Sequence, residues 1–267
     1  VAKDPQGIQK KISFLPENNP LPEELRVIEY LRFRSKIKGI PAKLRKERIY
    51  KAMDLCDLSR KGKNRIIGDL SKGFRQRVGI ADALLSKPEI IIMDEPTIGL
   101  DPHQIQMTRD LISSMRGEIT FILSSHILPE IENSCDNIII INQGQVVASG
   151  ASSELRKEFV PVTGYRLELK GDIAQFIELL KKSEKSINYI EYEDKNESGS
   201  QRLFIETKED NTFGEWIINQ TSGMNEFSIY EVSKIEPTLE DIFMIATKRS
   251  WDEKIGEGTK YFSDAGK

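Results

Sequence analysis

The sequence has little of what marks a small secreted domain or a membrane span. Among its 267 residues there are only two cysteines, Cys56 and Cys135. They lie far apart and outside any C-x-x-C spacing, which argues against a disulfide framework and a zinc site and fits a reducing cytoplasm. No apolar run approaches the roughly 18–20 residues that a bilayer crossing needs, and no charged-then-apolar leader opens the chain. Membrane association is therefore expected to go through a protein partner. Charge of one sign is missing too: 39 Lys plus Arg against 42 Asp plus Glu leave a net charge of -3. That balance gives no whole-chain reason to expect a nucleic-acid partner or an anionic surface. Histidine is equally scarce, with two in the chain.

What is present is a regular alternation of apolar strands and amphipathic helices. A short strand "KISFLPE" precedes a helix expected from Pro22 to about Lys38, stopped by Gly39 and Pro41, and a second helix from about Ala42 to Leu58. "DLSKGFRQRVGIADALLSKP" reads as a loop entering a helix that Ser71 can cap. Then follow a buried strand "EIIIMD", a helix from Pro102, a strand "EITFILSS", a short helix "LPEIENSC" and two strands turning at Gln143-Gly144. Near-continuous apolar strands alternating with helices imply an α/β domain with a mainly parallel sheet covered on both faces, assigned to residues 1–150.

From Ala151 to about residue 163 the composition turns polar and reads as a linker. Residues 164–250 then give the order β-α-β-β-α-β, a ferredoxin-like α+β arrangement with "NESGS" at its central turn, ending in the helix "TLEDIFMIATKR". The tail 251–267 has no periodicity and is expected to be disordered.

The chemistry concentrates at strand ends. "IIIMDEPTIGLDP" buries isoleucine and then sets Asp94 and Glu95 side by side, at the edge where open parallel sheets gather ligands. An aspartate there can hold Mg²⁺, and the next carboxylate can polarise a water for attack on a phosphate. The plainer alternative is a turn whose acids cap the helix near Pro102. The next strand ends at His126, on the same edge. A lone histidine is more often structural, and its i, i+4 spacing to Glu130 supplies only two candidate metal ligands. Upstream, Ser71 and Gly73 at a helix start leave N–H groups to meet an anion, or simply cap a surface helix.

Together these motifs resemble one family, the ATP-binding cassette (ABC) ATPases, and specifically the ATP-binding subunits of bacterial export-type ABC transporters. "LSKGFRQR" looks like the signature motif, "IIIMDEP" the Walker B strand with its glutamate, "GLDP" the D-loop and "SSH" the switch histidine, in family order from about Ile12 to Gly150. The resemblance implies that Asp94 orders Mg²⁺, Glu95 is the general base, and His126 holds the γ-phosphate and water. It also implies that Ser71 and Gly73 touch ATP bound to an opposite subunit while Asp101 crosses the dimer interface. ATP and Mg²⁺ are the expected cofactors. The expected partners are a membrane permease and a second ATPase subunit, like or unlike, with no nucleic acid. The expected place is the cytoplasmic face of the membrane.

Three departures from the family pattern stand out. Lys72 and Phe74 replace the usual glycine and glutamine of the signature. "SFLPENNPL" resembles the Q-loop, but Glu17 takes the place of its glutamine, as a candidate metal ligand. And G-x-x-x-x-G-K-[ST], the phosphate-cradling P-loop, does not occur in the sequence. Truncation is the simpler reading, and the chain alone is then expected to be inactive. The alternative is a non-catalytic partner that lends its signature motif to another ATPase. A soluble ABC ATPase acting on ribosomes or DNA fits less well, since the chain shows neither two cassettes nor a long coiled-coil insertion. "PTLEDIF" resembles the end of the extension that follows many export-type cassettes.

Overall fold

The computed structural model describes residues 4–59, 62–183, 185–193, 199–208, 212–222, 224 and 226–249. The expectation of a disordered tail at 251–267 lies outside them, as does most of the "NESGS" turn. The chain forms two compact units, Val1–Ile127 and Leu128–Lys267.

The first unit is built on three parallel strands in the order β1 (Ile12–Leu15), β2 (Ile90–Asp94), β3 (Thr120–Ser124). Its helices are α1 (Pro5–Lys11), α2 (Val27–Ile37), α3 (Ala42–Leu55), α4 (Lys72–Leu84) and α5 (Pro102–Ser114). Helix α1 falls in a stretch that reads only as polar sequence; Asp4 caps it by accepting from the Gly7 N–H at 2.9 Å, with Pro5 in the first turn. Helix α2 begins at Val27, later than Pro22, because Glu29 reaches back to the Arg26 N–H at 2.9 Å and fixes the first turn there.

Strand alternation puts Leu15, Ile91 and Met93 on the sheet face that packs with Val78, Ile80 and Ala81 of α4 in one apolar core. Ser13 ties this face to the helix, its hydroxyl donating to the Ala83 carbonyl at 2.8 Å. The expectation of a sheet covered on both faces holds for this face only. On the other, Phe14 and Ile122 are 59% and 52% exposed.

Helices α2 and α4 are joined by a charge cluster. Asp82 receives the Arg34 Nε on both oxygens at 3.0 Å and lies 3.8 Å from Lys38 Nζ. Burial pulls the Lys38 pKa down, whereas the bond to Asp82 pushes that of Arg34 up. Burial, with help from Asp82, pushes the nearby Tyr30 phenol up to about 12. Replacing Asp82 by alanine leaves Lys38, whose side chain is only 17% exposed, without this counter-charge. The expected cost is about 2–3 kcal/mol, below the full value for a buried pair because Arg34 keeps some contact with water. Urea unfolding followed by a probe in the first unit measures it.

The second unit comprises α6 (Leu128–Ser134), β4 (Ile138–Asn142), β5 (Gln145–Gly150), α7 (Ser152–Phe159), β6 (Thr163–Gly171), α8 (Ile173–Lys182), β7 (Ile187–Tyr192), β8 (Gln201–Thr207), α9 (Thr212–Thr221), β9 (Phe227–Ile235) and α10 (Leu239–Arg249). Strands β4 and β5 form their own antiparallel hairpin instead of extending the parallel sheet. Gln143 and Gly144 both take positive φ, 50° and 77°, the geometry of a tight two-residue turn. Strands β6 to β9 form an antiparallel sheet in the order β7-β8-β6-β9, with each crossover made by a helix, the ferredoxin-like arrangement.

Two expectations about organisation need correction. The boundary between compact units falls at residues 127/128 rather than near 150, and 151–163 is not a bare linker. Its polar residues are the outer face of α7, whose Leu155 and Phe159 are buried with Ile138, Ile140, Leu239, Ile242 and Ile245 in one core. The polar composition concealed an amphipathic helix only two turns long. "PTLEDIF" likewise has a physical role: Asp241 accepts from the Thr238 N–H at 2.9 Å and hydroxyl at 2.7 Å, starting α10 against that core. Arg156 of α7 bonds both Glu132 of α6 and Glu236 just ahead of α10.

Candidate functional site

Strand β2 carries the acidic pair out of the core. Its parallel register sets Asp94 opposite Ser124, and the Ser124 hydroxyl donates to Asp94 Oδ1 at 2.5 Å. That bond engages Oδ1 and leaves Oδ2 outside it. Glu95 follows with φ of 46°, a left-handed value that costs a non-glycine residue about 1 kcal/mol or more. Its N–H bonds the Ser124 carbonyl at 3.1 Å and approaches the Ser124 hydroxyl at 3.3 Å, so β3 holds the turn in place.

That turn delivers the Glu95 carboxylate to His126. Glu95 Oε1 accepts from the His126 N–H at 3.0 Å and lies 2.8 Å from Nδ1. An ionised Glu95 requires Nδ1 to carry the proton. The glutamate side chain is 17% exposed and the imidazole 65%. Glu95 Oε2 is buried without a hydrogen-bond partner, an arrangement that costs free energy unless another polar group meets it.

The helix-cap alternative for the acidic pair does not hold. Asp101 caps α5, accepting from the Gln104 N–H at 2.9 Å, while Asp94 and Glu95 bond β3 and the residues beyond it. Ser71 caps α4 through a longer contact to the Phe74 N–H at 3.4 Å. The two helix starts are neighbours. A Cβ on buried Gly73 would stand 2.1 Å from Gln104 Oε1, and one on Gly99 would stand 2.6 Å from Lys72 Nζ. Gly73 thus lies directly against the end of the Gln104 side chain, which would have to move for any larger residue. Phe74 packs under the Arg77 guanidinium, 4.1 Å from the ring centroid, so the departure from glutamine is absorbed by a cation–π contact.

Glu17 is exposed two residues past β1, and the pairing of Leu15 with Met93 brings it to the sheet edge that carries Asp94 and Glu95. The "PENNP" turn is anchored by Asn19, whose amide donates to the Arg75 carbonyl at 3.0 Å. Sequence reading passed over Ser124 and Gln104. The signal for Ser124 was strand register, a serine at the end of the neighbouring apolar strand. No group of three or more His, Cys, Asp or Glu among the described residues could hold a metal by itself. That is compatible with Mg²⁺, which commonly takes one or two carboxylates plus phosphate and water. The open Asp94 Oδ2 and the orphaned Glu95 Oε2 suit such a partly protein-built site.

Residues 2–98 match the family model described as ABC transporter. The chain is 39% identical over 150 residues to an ABC transporter ATP-binding protein of Nostoc, covering 55% of this chain and 45% of that one. It is 33% identical over 159 residues to the ABC-type transporter ATP-binding protein EcsA of Bacillus subtilis, covering 59% and 64%. To the bacitracin transport ATP-binding protein BcrA of Bacillus licheniformis it is 38% identical over 157 residues, covering 58% and 50%. It thus spans about half the length of several curated relatives. Among solved structures, an ATP-binding subunit of an ABC transporter superposes with a TM-score of 0.52 at 30% identity, over 59% of this chain and 66% of that one. CbiO1 of Clostridium perfringens, part of the ABC transporter complex cbiONQ, gives 0.51 at 27% identity over 56% and 61%. With the acidic pair, the histidine and the two helix starts in place, residues 2–98 carry the ABC transporter family match, and the chain is similar over more than half its length to ABC transporter ATP-binding proteins.

Proposed function

We propose that the chain is the greater part of the ATPase subunit of an export-type ABC transporter, working with a separate permease at the cytoplasmic face of the membrane. The observation that carries this reading is the Glu95 carboxylate, clasped by His126 through Oε1 and left with a buried, unpaired Oε2. Such a carboxylate is ready to take a proton from water. Asp94, steadied by Ser124, presents its second oxygen to a divalent cation, with exposed Glu17 as a further candidate ligand. Mg²⁺ bound there would neutralise phosphate charge. His126 holds Glu95 in place and offers its exposed ring to the γ-phosphate.

Ser71 and Gly73, at the N-terminus of α4, serve the ATP of an opposite subunit, and Asp101 lies on the neighbouring turn that faces across. ATP then joins two subunits and hydrolysis parts them. No helix among the described residues is long and apolar enough to cross a membrane, which suits a subunit that reaches the bilayer through its permease.

A second reading rests on the absence of G-x-x-x-x-G-K-[ST] from the 267 residues. In that reading the chain lends Ser71 and Gly73 to a competent partner and hydrolyses nothing. The test is a fusion that places a strand, P-loop and helix ahead of Val1. With ATP, sedimentation velocity is expected to show the fusion shifting from monomer to dimer. A fusion that binds ATP and stays monomeric, while the original chain forms ATP-dependent heterodimers with a P-loop-bearing subunit, replaces the first reading with the second.

A further inference from the structure

Ser124 opens the "SSH" stretch, in which the family resemblance assigns a role only to the histidine, yet it touches both acids of the pair. Its hydroxyl donates to Asp94 Oδ1 at 2.5 Å and lies 3.3 Å from the Glu95 N–H, while its carbonyl takes that N–H at 3.1 Å. A hydroxyl has one proton to give and lone pairs to receive, and here both capacities meet the site. Ser124 is exposed, so water could satisfy it at no cost. Its bond to a carboxylate is therefore a positional feature rather than a requirement of burial.

We propose that Ser124 is a positioning residue for the acidic pair: it fixes the Asp94 carboxylate by one oxygen so that the other faces a divalent cation, and secures the left-handed Glu95 turn. The register explains why this position does so. Asp94 and Ser124 are cross-strand partners in β2 and β3, so their side chains leave the same sheet face side by side. Without the hydroxyl, Asp94 turns among rotamers and meets the metal in only a fraction of them. The loss then appears in metal affinity and only weakly in the rate at saturating metal.

This inference rests on the ATPase reading, and its test separates the two. In the P-loop fusion, Ser124→Ala is expected to raise the Mg²⁺ concentration for half-maximal ATPase about three- to tenfold, the usual net worth of one hydrogen bond where water can take the place of the exposed hydroxyl. The rate at saturating Mg²⁺ should change far less. Ser124→Thr keeps a hydroxyl in a strand position that favours β-branching and should restore the midpoint. Mn²⁺ binding in the presence of ATP, read by electron paramagnetic resonance, makes the same comparison without turnover, with Asp94→Asn as the reference for a lost ligand. Unchanged metal affinity in Ser124→Ala, or an equal shift in the alanine and threonine forms, overturns the proposal. A fusion that binds Mg-ATP and shows no turnover overturns the ATPase reading instead, and the Mn²⁺ comparison still decides the role of Ser124.

Discussion

Glu95→Gln in the P-loop fusion is expected to lower ATP turnover by about 10²–10⁴-fold, the usual worth of a general base. Glutamine keeps the size of the side chain, and its amide oxygen can still accept the His126 N–H that now reaches Oε1 at 3.0 Å. The turn at φ 46° is held by backbone and Ser124, so the substitution leaves its anchor intact. What disappears is the oxygen able to take a proton. Binding persists while release through hydrolysis stops, so ATP-bound dimers accumulate. Light scattering with Mg-ATP measures this directly. A variant that binds ATP normally and remains monomeric contradicts the two-subunit site, and one that turns over at the parental rate removes Glu95 from the chemistry.

The second large effect concerns the 267 residues by themselves. Asp94, Glu95 and His126 are assembled in the first unit, but no G-x-x-x-x-G-K-[ST] occurs in the sequence to cradle the phosphates. Removing even one preorganised donor from charge developing in a transition state costs about 10²–10³-fold. Lacking a whole phosphate cradle, the chain is expected to hydrolyse Mg-ATP at least about 10³-fold more slowly than the fusion. A coupled phosphate-release assay on equal concentrations of both decides it. Glu95-dependent turnover by the 267 residues alone, near the rate of the fusion, would sink this expectation.

Much of this arrangement was legible in the sequence because it follows short-range rules. The run that ends in Asp94 and Glu95 could only be a buried strand with its acids outside the core, and β2 is that strand. Ser71 reads as a helix start and accepts a hydrogen bond from the first turn of α4, while the cap of the helix expected from Pro102 is Asp101, which reads from its motif only as an interface residue. The order of the C-terminal elements gave the ferredoxin-like sheet through simple alternation.

The rest depended on pairing, which a single sequence states weakly. Which residue faces Asp94 is set by the register of β3, and a shift of one position would have turned Ser124 to the opposite face. The hairpin β4–β5 reads like any buried strand pair, and only its partners show that it departs from the parallel sheet. Helix α7 was hidden because Leu155 and Phe159 are the only residues the helix itself buries in a polar stretch, with Val160 and Val162 joining the same core just after it.

Helix α10 carries a lesson about inheritance. It comes last of the described elements, yet Leu239, Ile242 and Ile245 share a core with α6, β4 and α7, segments that lie far earlier in the chain. A gene that lost its closing exchangeable module would also lose the lid on Ile138, Ile140 and Leu155. Removing the extension as a discrete cartridge therefore opens a core that also belongs to α6, β4 and α7, unless a new helix supplies the same apolar stripe. The final helix is physically part of that earlier core, whereas the β6–β9 sheet packs around a core of its own.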